Sequence, residues 1–220
     1  MKITTVIPAY NEADNIGSVI AKLKSYVDEI IVVDDSSHDN TYELARLAGA
    51  VVVRHIINRG QGAALRTGTQ LALDRGADII IHFDADDQFQ AEDIPDMLEP
   101  LRNGSADAVL GSRFLTKKSN LPKMKQYFIM PLARFINRSL FNIKLSDPQS
   151  GFRALSRASA QKLKIENDGM AHCTEIIHKL FKNGDRVVEV PITVIYHEFG
   201  QKFSGGFKIL KDMIIQKLIK

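Results

Sequence analysis

Ile79-Ile80-Ile81-His82-Phe83 runs directly into Asp84-Ala85-Asp86-Asp87-Gln88. A short apolar run bounded by polar residues suits a strand buried on both faces. The same junction occurs three more times. Ile3-Thr4-Thr5-Val6-Ile7 leads into Pro8-Ala9-Tyr10-Asn11-Glu12, and Ile30-Ile31-Val32-Val33 into Asp34-Asp35-Ser36-Ser37. Ala108-Val109-Leu110 leads into Gly111-Ser112-Arg113-Phe114. As parallel strands, the four runs put all four polar clusters on the carboxyl edge of one sheet, where open α/β sheets bind ligands. Several carboxylates, an amide and a guanidinium then meet, a set that suits a metal-bound diphosphate.

Helical patterns separate the runs. Ile16, Val19, Ile20 and Leu23 recur at helical spacing, with Asn11 and Asp14 expected as a cap and its partner. Asp39-Asn40-Thr41 signals a second helix that Gly49 closes. Val51-Val52-Val53 is a further strand, and a helix is expected from about Gly62 to Arg75. This alternation predicts an α/β fold, a mostly parallel sheet with helices on both faces. Later come a basic loop from Lys117 to Lys125 and a helix after Pro131 carrying Arg134. Asp147 to Arg153 reads as a turn. A helix around Glu175 to Phe181 follows, then a strand Val187 to Pro191 marked as an edge by its proline, and a last helix from Phe207 to Lys220. No linker interrupts the 220 residues. One domain is expected, with two functional halves, 1–115 and 116–220.

Composition bounds the function. The hydrophobic share of 45% and net charge of +3 are those of an ordinary globular chain. No basic run is interleaved with stacking aromatics, so no nucleic-acid partner is expected. Cys173 is the single cysteine, which excludes an internal disulfide and suits a small core residue. No run approaches the ~18 apolar residues of a membrane span, and the chain enters a strand pattern at once, without a signal-peptide core. A cytoplasmic location is expected. In the last helix, however, Ile209, Ile215 and Ile219 lie off the main apolar stripe among lysines, as in a helix lying on an anionic membrane.

Asp84 and Asp86 are the candidate metal ligands. Alternate residues of an extended segment face one side, and hard oxygen ligands suit magnesium or manganese. Gln88 is a candidate third ligand or water holder, while Asp87 is expected to face away into solvent. Asp35 is placed to contact a nucleoside. Gly60-Gln61-Gly62 fails as a dinucleotide fingerprint, since Leu65 stands at the third glycine position; it is expected instead to let backbone approach a ligand near Arg59 and Arg66.

Taken together these residues resemble the family 2 glycosyltransferases, and within them the polyprenyl-phosphate sugar synthases of the dolichol-phosphate mannose synthase type. The likeness rests on Val6 to Glu12, Val33 to Ser37 with Asp39 and Thr41, Asn58-Arg59-Gly60 with Gly62 and Gly68, and Asp84-Ala85-Asp86. It continues through Gly111 to Phe114, Asp147 with Ser150-Gly151-Phe152-Arg153, and Glu189-Val190-Pro191-Ile192. It implies a GT-A fold, a nucleoside-diphosphate sugar donor (GDP- or UDP-hexose) and a divalent cation. Pro8, Ala9, Tyr10, Glu12 and Asp35 would line the nucleoside pocket, with Arg59, Asp84 and Ala85 also on the donor side. Asp84 and Asp86 would handle metal and diphosphate, and Arg113, with Arg134, would meet an acceptor phosphate. Lys202 falls where the family often has a basic residue, although Phe199-Gly200-Gln201-Lys202 matches only in part.

The expected activity is inverting transfer of a hexose to a polyprenyl phosphate, with Asp86 and Arg113 carrying the chemistry. A phosphate acceptor is already anionic near neutral pH and needs positioning more than a base. A hydroxyl acceptor would need one, and Asp147 is the candidate. A sugar nucleotidyltransferase would carry a glycine-rich basic loop after the first strand, where this chain has Pro8 to Glu12. A non-catalytic nucleotide-sugar binder is the remaining alternative.

Overall fold

The computed structural model describes residues 1–115 and 145–195. The basic loop at 117–125, the helix after Pro131 and the last helix from Phe207 lie outside them.

The first half follows the predicted alternation. Strand β1 (Ile3–Ala9) leads to α1 (Ile16–Leu23), β2 (Glu29–Asp34), α2 (Thr41–Leu47), β3 (Val51–Arg54), α3 (Gln61–Asp74) and β4 (Ile79–His82). A 3₁₀ turn at Ala91–Asp93 opens α4 (Ile94–Arg102), which precedes β5 (Ala108–Ser112). Then come β6 (Arg153–Ser156), α5 (Arg157–Lys162), α6 (His172–Lys182) and β7 (Val187–Pro191). The strands form one sheet in the order β3-β2-β1-β4-β6-β5-β7. All run parallel except β6, which is antiparallel to both β4 and β5. As its proline suggested, β7 is an edge strand among the described residues.

The sheet is covered on both faces. On one face α1 lays Ile16, Val19, Ile20 and Leu23 against Ile7, Val32 and Ile81, joined by Ala45 of α2 and by Ile94, Met97 and Leu98 of α4. Those four α1 side chains are at most 1% exposed, which stabilises the fold by roughly 1.5–3 kcal/mol each relative to solvent exposure. On the other face α3, α5 and α6 bring Ala64, Leu65, Ala160, Ile176, Ile177 and Leu180 onto Val6, Ile31, Ile80 and Leu155. Gly68 allows α3 to sit this close, since a Cβ there would lie 2.3 Å from a Val6 methyl.

Two local expectations change. Asn11 does not cap α1: it adopts a left-handed φ of 56°, and Asn15 precedes the helix. The backbone N–H groups of Asn15 and Ile16 instead donate to the carbonyl of Glu12. The stretch ending at Arg153 is not merely a turn, because Arg153 begins β6. That strand inserts between β4 and β5, with Arg153 in register with both His82 and Leu110. Its antiparallel direction carries the preceding residues, Ser150 to Phe152, to the carboxyl edge where the acidic clusters lie.

Candidate active site

The loops leaving β1 and β2 are laced together. The backbone N–H groups of Asn11, Glu12 and Ala13 donate to Ser37 Oγ (2.9 Å), Thr41 Oγ1 (2.8 Å) and Asp39 Oδ2 (3.1 Å). The His38 N–H returns a bond to Asn11 Oδ1. Asp39 and Thr41 therefore hold the Pro8–Glu12 segment in place. Pro8 and Ala9 are buried at the end of β1, while Tyr10 is 42% exposed at the rim, edge-on to the His38 ring. Asn11, Ser36 and Asp87 all have left-handed φ values, one in each loop leaving β1, β2 and β4. Such backbone strain is held only where surrounding contacts over-determine it.

Asp34 and Asp35 differ in what they touch. Asp34 is fully buried, ion-paired to Arg54 (3.0 Å) and accepting from the Ser37 N–H. Asp35, 3% exposed, accepts from the N–H groups of Arg59 (3.0 Å) and Gly60 (2.6 Å) and lies 2.7 Å from His55 Nδ1. His55 Nε2 in turn lies 3.0 Å from Thr67 Oγ1. Both oxygens of the expected nucleoside-reading carboxylate are thus engaged by the protein, and its immediate effect is to fix the Arg59–Gly60 loop. Gly60 and Gly62 admit protein backbone where a ligand was expected. A Cβ at Gly60 would lie 2.4 Å from the Asp168 carbonyl oxygen, and one at Gly62 would lie 2.0 Å from that of Asn167. The Arg59 and Arg66 guanidinium groups share Asp168, at 3.2 and 2.7 Å.

The candidate cation site lies at the end of β4. Asp84 Oδ1 accepts from Gln61 Nε2 (2.9 Å) at the start of α3. Removal from water, reinforced by the Asp86 charge, lifts the Asp84 carboxyl to about 7. Removal from water also raises Glu12, and the Asp86 charge adds to that rise, so the β1 and β4 loops converge. Asp86 Oδ1 accepts from the Gln88 N–H, and the Gln88 carbonyl accepts from Ile195 N–H, which closes the turn. Beneath it the rings of Phe83, Phe89 and Phe152 pack at 5.0 to 5.5 Å between centroids. Ala85 is 4% exposed in the same core. Asp87 does not face solvent alone: it pairs with Lys22 of α1 at 2.7 Å.

Three residues here had no assigned role. Gln61 stands in the sequence only as the middle residue of Gly60-Gln61-Gly62. Gly151 leaves just enough room for Asp84, because a Cβ there would lie 2.3 Å from Asp84 Oδ2. Arg153 is fully buried, and its guanidinium nitrogens find no nitrogen or oxygen acceptor among the described residues. Burial, with the Arg153 charge next, drives His82 down to about 3. Although burial opposes it, the charges of His172 and Arg153 bring the Cys173 thiol down to about 6. Arg153 also opposes the rise of Asp84. The motif Ser150 to Arg153 was visible in the sequence, but nothing local tied it to Asp84.

Two carboxylates suit a cation that takes its other ligands from a diphosphate and water, as magnesium commonly does. Among the described residues no cluster of three or more His, Cys, Asp and Glu forms a complete protein cage. The acid pair therefore fits a divalent cation only as a partial ligand set.

At the end of β5, Arg113 grips Asp147 with two parallel bonds, Nε to Oδ2 at 2.5 Å and Nη2 to Oδ1 at 2.7 Å. The Arg113 backbone N–H adds a third at 3.2 Å. Asp147 is 1% exposed. The carboxylate considered as a base is thus paired with a guanidinium. Arg134 and Lys202 lie outside the described residues.

The chain is similar to known proteins of one family. Residues 4–164 match the family described as glycosyl transferase family 2. A UDP-N-acetylglucosamine–dolichyl-phosphate N-acetylglucosaminyltransferase of Methanococcus voltae is 33% identical over 99% of this chain and 97% of its own length. An undecaprenyl-phosphate mannosyltransferase of Micrococcus luteus is 32% identical over 94% and 89%. Among solved structures, glucosyl-3-phosphoglycerate synthase of Mycobacterium tuberculosis, in complex with Mn2+ and UDP-glucose, superposes with a TM-score of 0.76. Its sequence identity is 23%, and the match covers 97% of this chain and 76% of that one. That likeness concerns the fold, which is the GT-A fold. The chain therefore belongs to glycosyl transferase family 2.

Proposed function

We propose that this glycosyltransferase moves a hexose from a nucleoside-diphosphate sugar to a polyprenyl phosphate, inverting the anomeric carbon. The observation that carries the reading is the Arg113–Asp147 clamp. Both Asp147 oxygens are committed at 2.5 and 2.7 Å, so this acid is poorly placed to deprotonate a hydroxyl. A phosphate monoester, with a second pKa of about 6, is already a nucleophile at neutral pH. Two relatives that differ in the sugar they are named for are both named for a polyprenyl phosphate acceptor, which supports the acceptor class over any particular sugar.

One acceptor phosphate oxygen forms the new bond to the anomeric carbon as the bond to the donor diphosphate breaks on the opposite face. No proton has to move. Pro8, Ala9, Tyr10 and Glu12 border the nucleoside pocket, on a segment held by Asp39 and Thr41. Asp35 shapes that pocket through Arg59 and Gly60. Asp84 and Asp86, with Gln88 beside them, would hold magnesium or manganese, which when bound offsets negative charge on the departing diphosphate. Arg113, pre-oriented by Asp147, would meet the acceptor phosphate through two donors, with Arg134 and Lys202 as further candidates. The acceptor lipid implies peripheral contact at the cytoplasmic face of a membrane. Among the described residues no helix is long and apolar enough to cross one.

The test is a panel of UDP- and GDP-hexoses with Mn2+ and a short polyprenyl phosphate, read as lipid-linked sugar and released nucleoside diphosphate. Product should form with one donor and vanish in chelator or in Asp86→Ala. Transfer to hydroxyl acceptors alone would overturn the phosphate reading, and donor binding without turnover would overturn catalysis.

A further inference from the structure

The motif Glu189-Val190-Pro191-Ile192 takes no part in the chemistry above, yet it is built into the acceptor side. Strand β7 lies parallel to β5, with Leu110 opposite Glu189 and Ser112 opposite Pro191. Ile192 is fully buried, and a Cβ at Gly111 would lie 2.8 Å from its side chain. The Ile192 side chain is therefore seated against Gly111, just before Arg113.

From this strand the Glu189 carboxylate reaches the loop that carries Asp147. Oε1 accepts from the Ser146 N–H (3.0 Å), Ser146 Oγ (2.8 Å) and the Asp147 N–H (2.9 Å). Oε2 accepts from the Ser146 N–H at 2.8 Å. Ser146 Oγ also lies 2.5 Å from Ser112 Oγ, which accepts from the Phe114 N–H. The loop is thus tied to both flanks of Arg113. Bonds to an ionised acceptor are about twice as strong as neutral ones.

We propose that Glu189 is a positioning residue for Arg113: it fixes Ser146 and Asp147, and Asp147 fixes the guanidinium. The proposal rests on Arg113 as the acceptor-phosphate residue. Glu189 itself has no contact with substrate in this scheme. It sets the direction of the guanidinium before the acceptor arrives, so that ordering Arg113 does not have to be met from the binding energy of the lipid phosphate.

Glu189→Gln preserves length but loses the charge and turns an amide NH2 toward the loop's own N–H groups. Two readouts test it. In the first, wild-type and variant chains are treated with phenylglyoxal, and modification of Arg113 is followed by peptide mass spectrometry. Arg113 should react several-fold faster in Glu189→Gln. An unchanged rate overturns the relay, and it does so whatever the acceptor is. In the second, transfer is measured with a polyprenyl phosphate. The acceptor KM should rise about tenfold while the donor KM stays within about twofold. In an Arg113→Lys background the same substitution should add less than about twofold, because coupled residues are not additive. Equal losses for donor and acceptor, or full additivity, would refute the positioning role. Should Glu189→Gln fail to fold, Ser146→Ala removes the hydroxyl contacts to Glu189 and Ser112 and should shift both readouts in the same direction. A wild-type chain that transfers to no polyprenyl phosphate would defeat the function reading, leaving the phenylglyoxal comparison to decide the relay.

Discussion

Gly151→Ala separates function from stability at this site. The backbone of Gly151 is not in the left-handed region, so alanine is conformationally acceptable there. The problem is space. The new methyl would lie 2.3 Å from Asp84 Oδ2 and 2.9 Å from both Cγ and Oδ1, whereas ordinary contact begins near 3.4 Å. Asp84 must retreat by about 1 Å, against the 2.9 Å bond from Gln61. The obstacle is a side-chain end and not backbone, so the fold should lose only about 1 kcal/mol, the low end for overpacking. For a chain of this size that is a Tm decrease of about 2–4 °C. The active site has no such tolerance, since a misplacement of about 1 Å costs about 100-fold in rate, or close to 2.7 kcal/mol of barrier. The assay is nucleoside diphosphate release over a Mn2+ titration, run beside thermal melts with and without the ion. Turnover should fall about 100-fold, with a weaker Mn2+ response and a nearly unchanged melt without metal. Wild-type turnover would mean that Asp84 does not need its present position. Collapse of the melt would mean that Gly151 serves packing, and the steric argument would fail.

With Asp84 lifted to about 7 by burial and then by Asp86, the proposed cation binding should be pH-dependent. The raised Asp84 value favours the protonated folded chain, so its contribution to metal-free stability is full below about pH 4 and is lost as pH rises through about 7, with an upper bound of about 4 kcal/mol. The Mn2+-induced Tm increase should therefore grow between pH 5.5 and 8, and a flat response would refute the assignment. Asp35→Asn turns an amide toward backbone donors and should cost about 2 kcal/mol of stability in urea unfolding, because Asp35 holds Arg59 and Gly60; unchanged stability would return Asp35 to a purely ligand-facing role. Gly17→Ala, in α1 with nothing within 4 Å of the added methyl, should stabilise by roughly 0.5–1 kcal/mol with turnover unchanged; a loss of stability would show that α1 is packed more closely than described.

Much of the architecture was legible locally. Each of the four apolar runs from Ile3, Ile30, Ile79 and Ala108 is a strand, because side chains buried on both faces leave a continuous apolar signature that ends where the chain meets solvent. The stripe of α1, the Gly49 closure of α2 and the edge position of Pro191 depend on a few neighbouring residues, and they were readable for that reason. The acidic residues Asp84 and Asp86 stood out because they follow a strand end directly.

Strand order had no such local signature. β6 is four residues long and opens with an arginine, so it carries no apolar run, yet its insertion between β4 and β5 places Gly151 against Asp84. Asp87 looked solvated until α1 brought Lys22 to it. The partners of Asp35, the packing of Asn167 and Asp168 against Gly60 and Gly62, and the grip of Asp147 on Arg113 each join residues about 20 to 110 positions apart. The sequence alone determined which residues carry charge and which strand end each follows, because those depend on the chain's local period. Only the tertiary structure decided which carboxylates are engaged by neighbouring groups of the protein, because hydrogen-bond geometry is set by strands that meet only after the sheet has assembled.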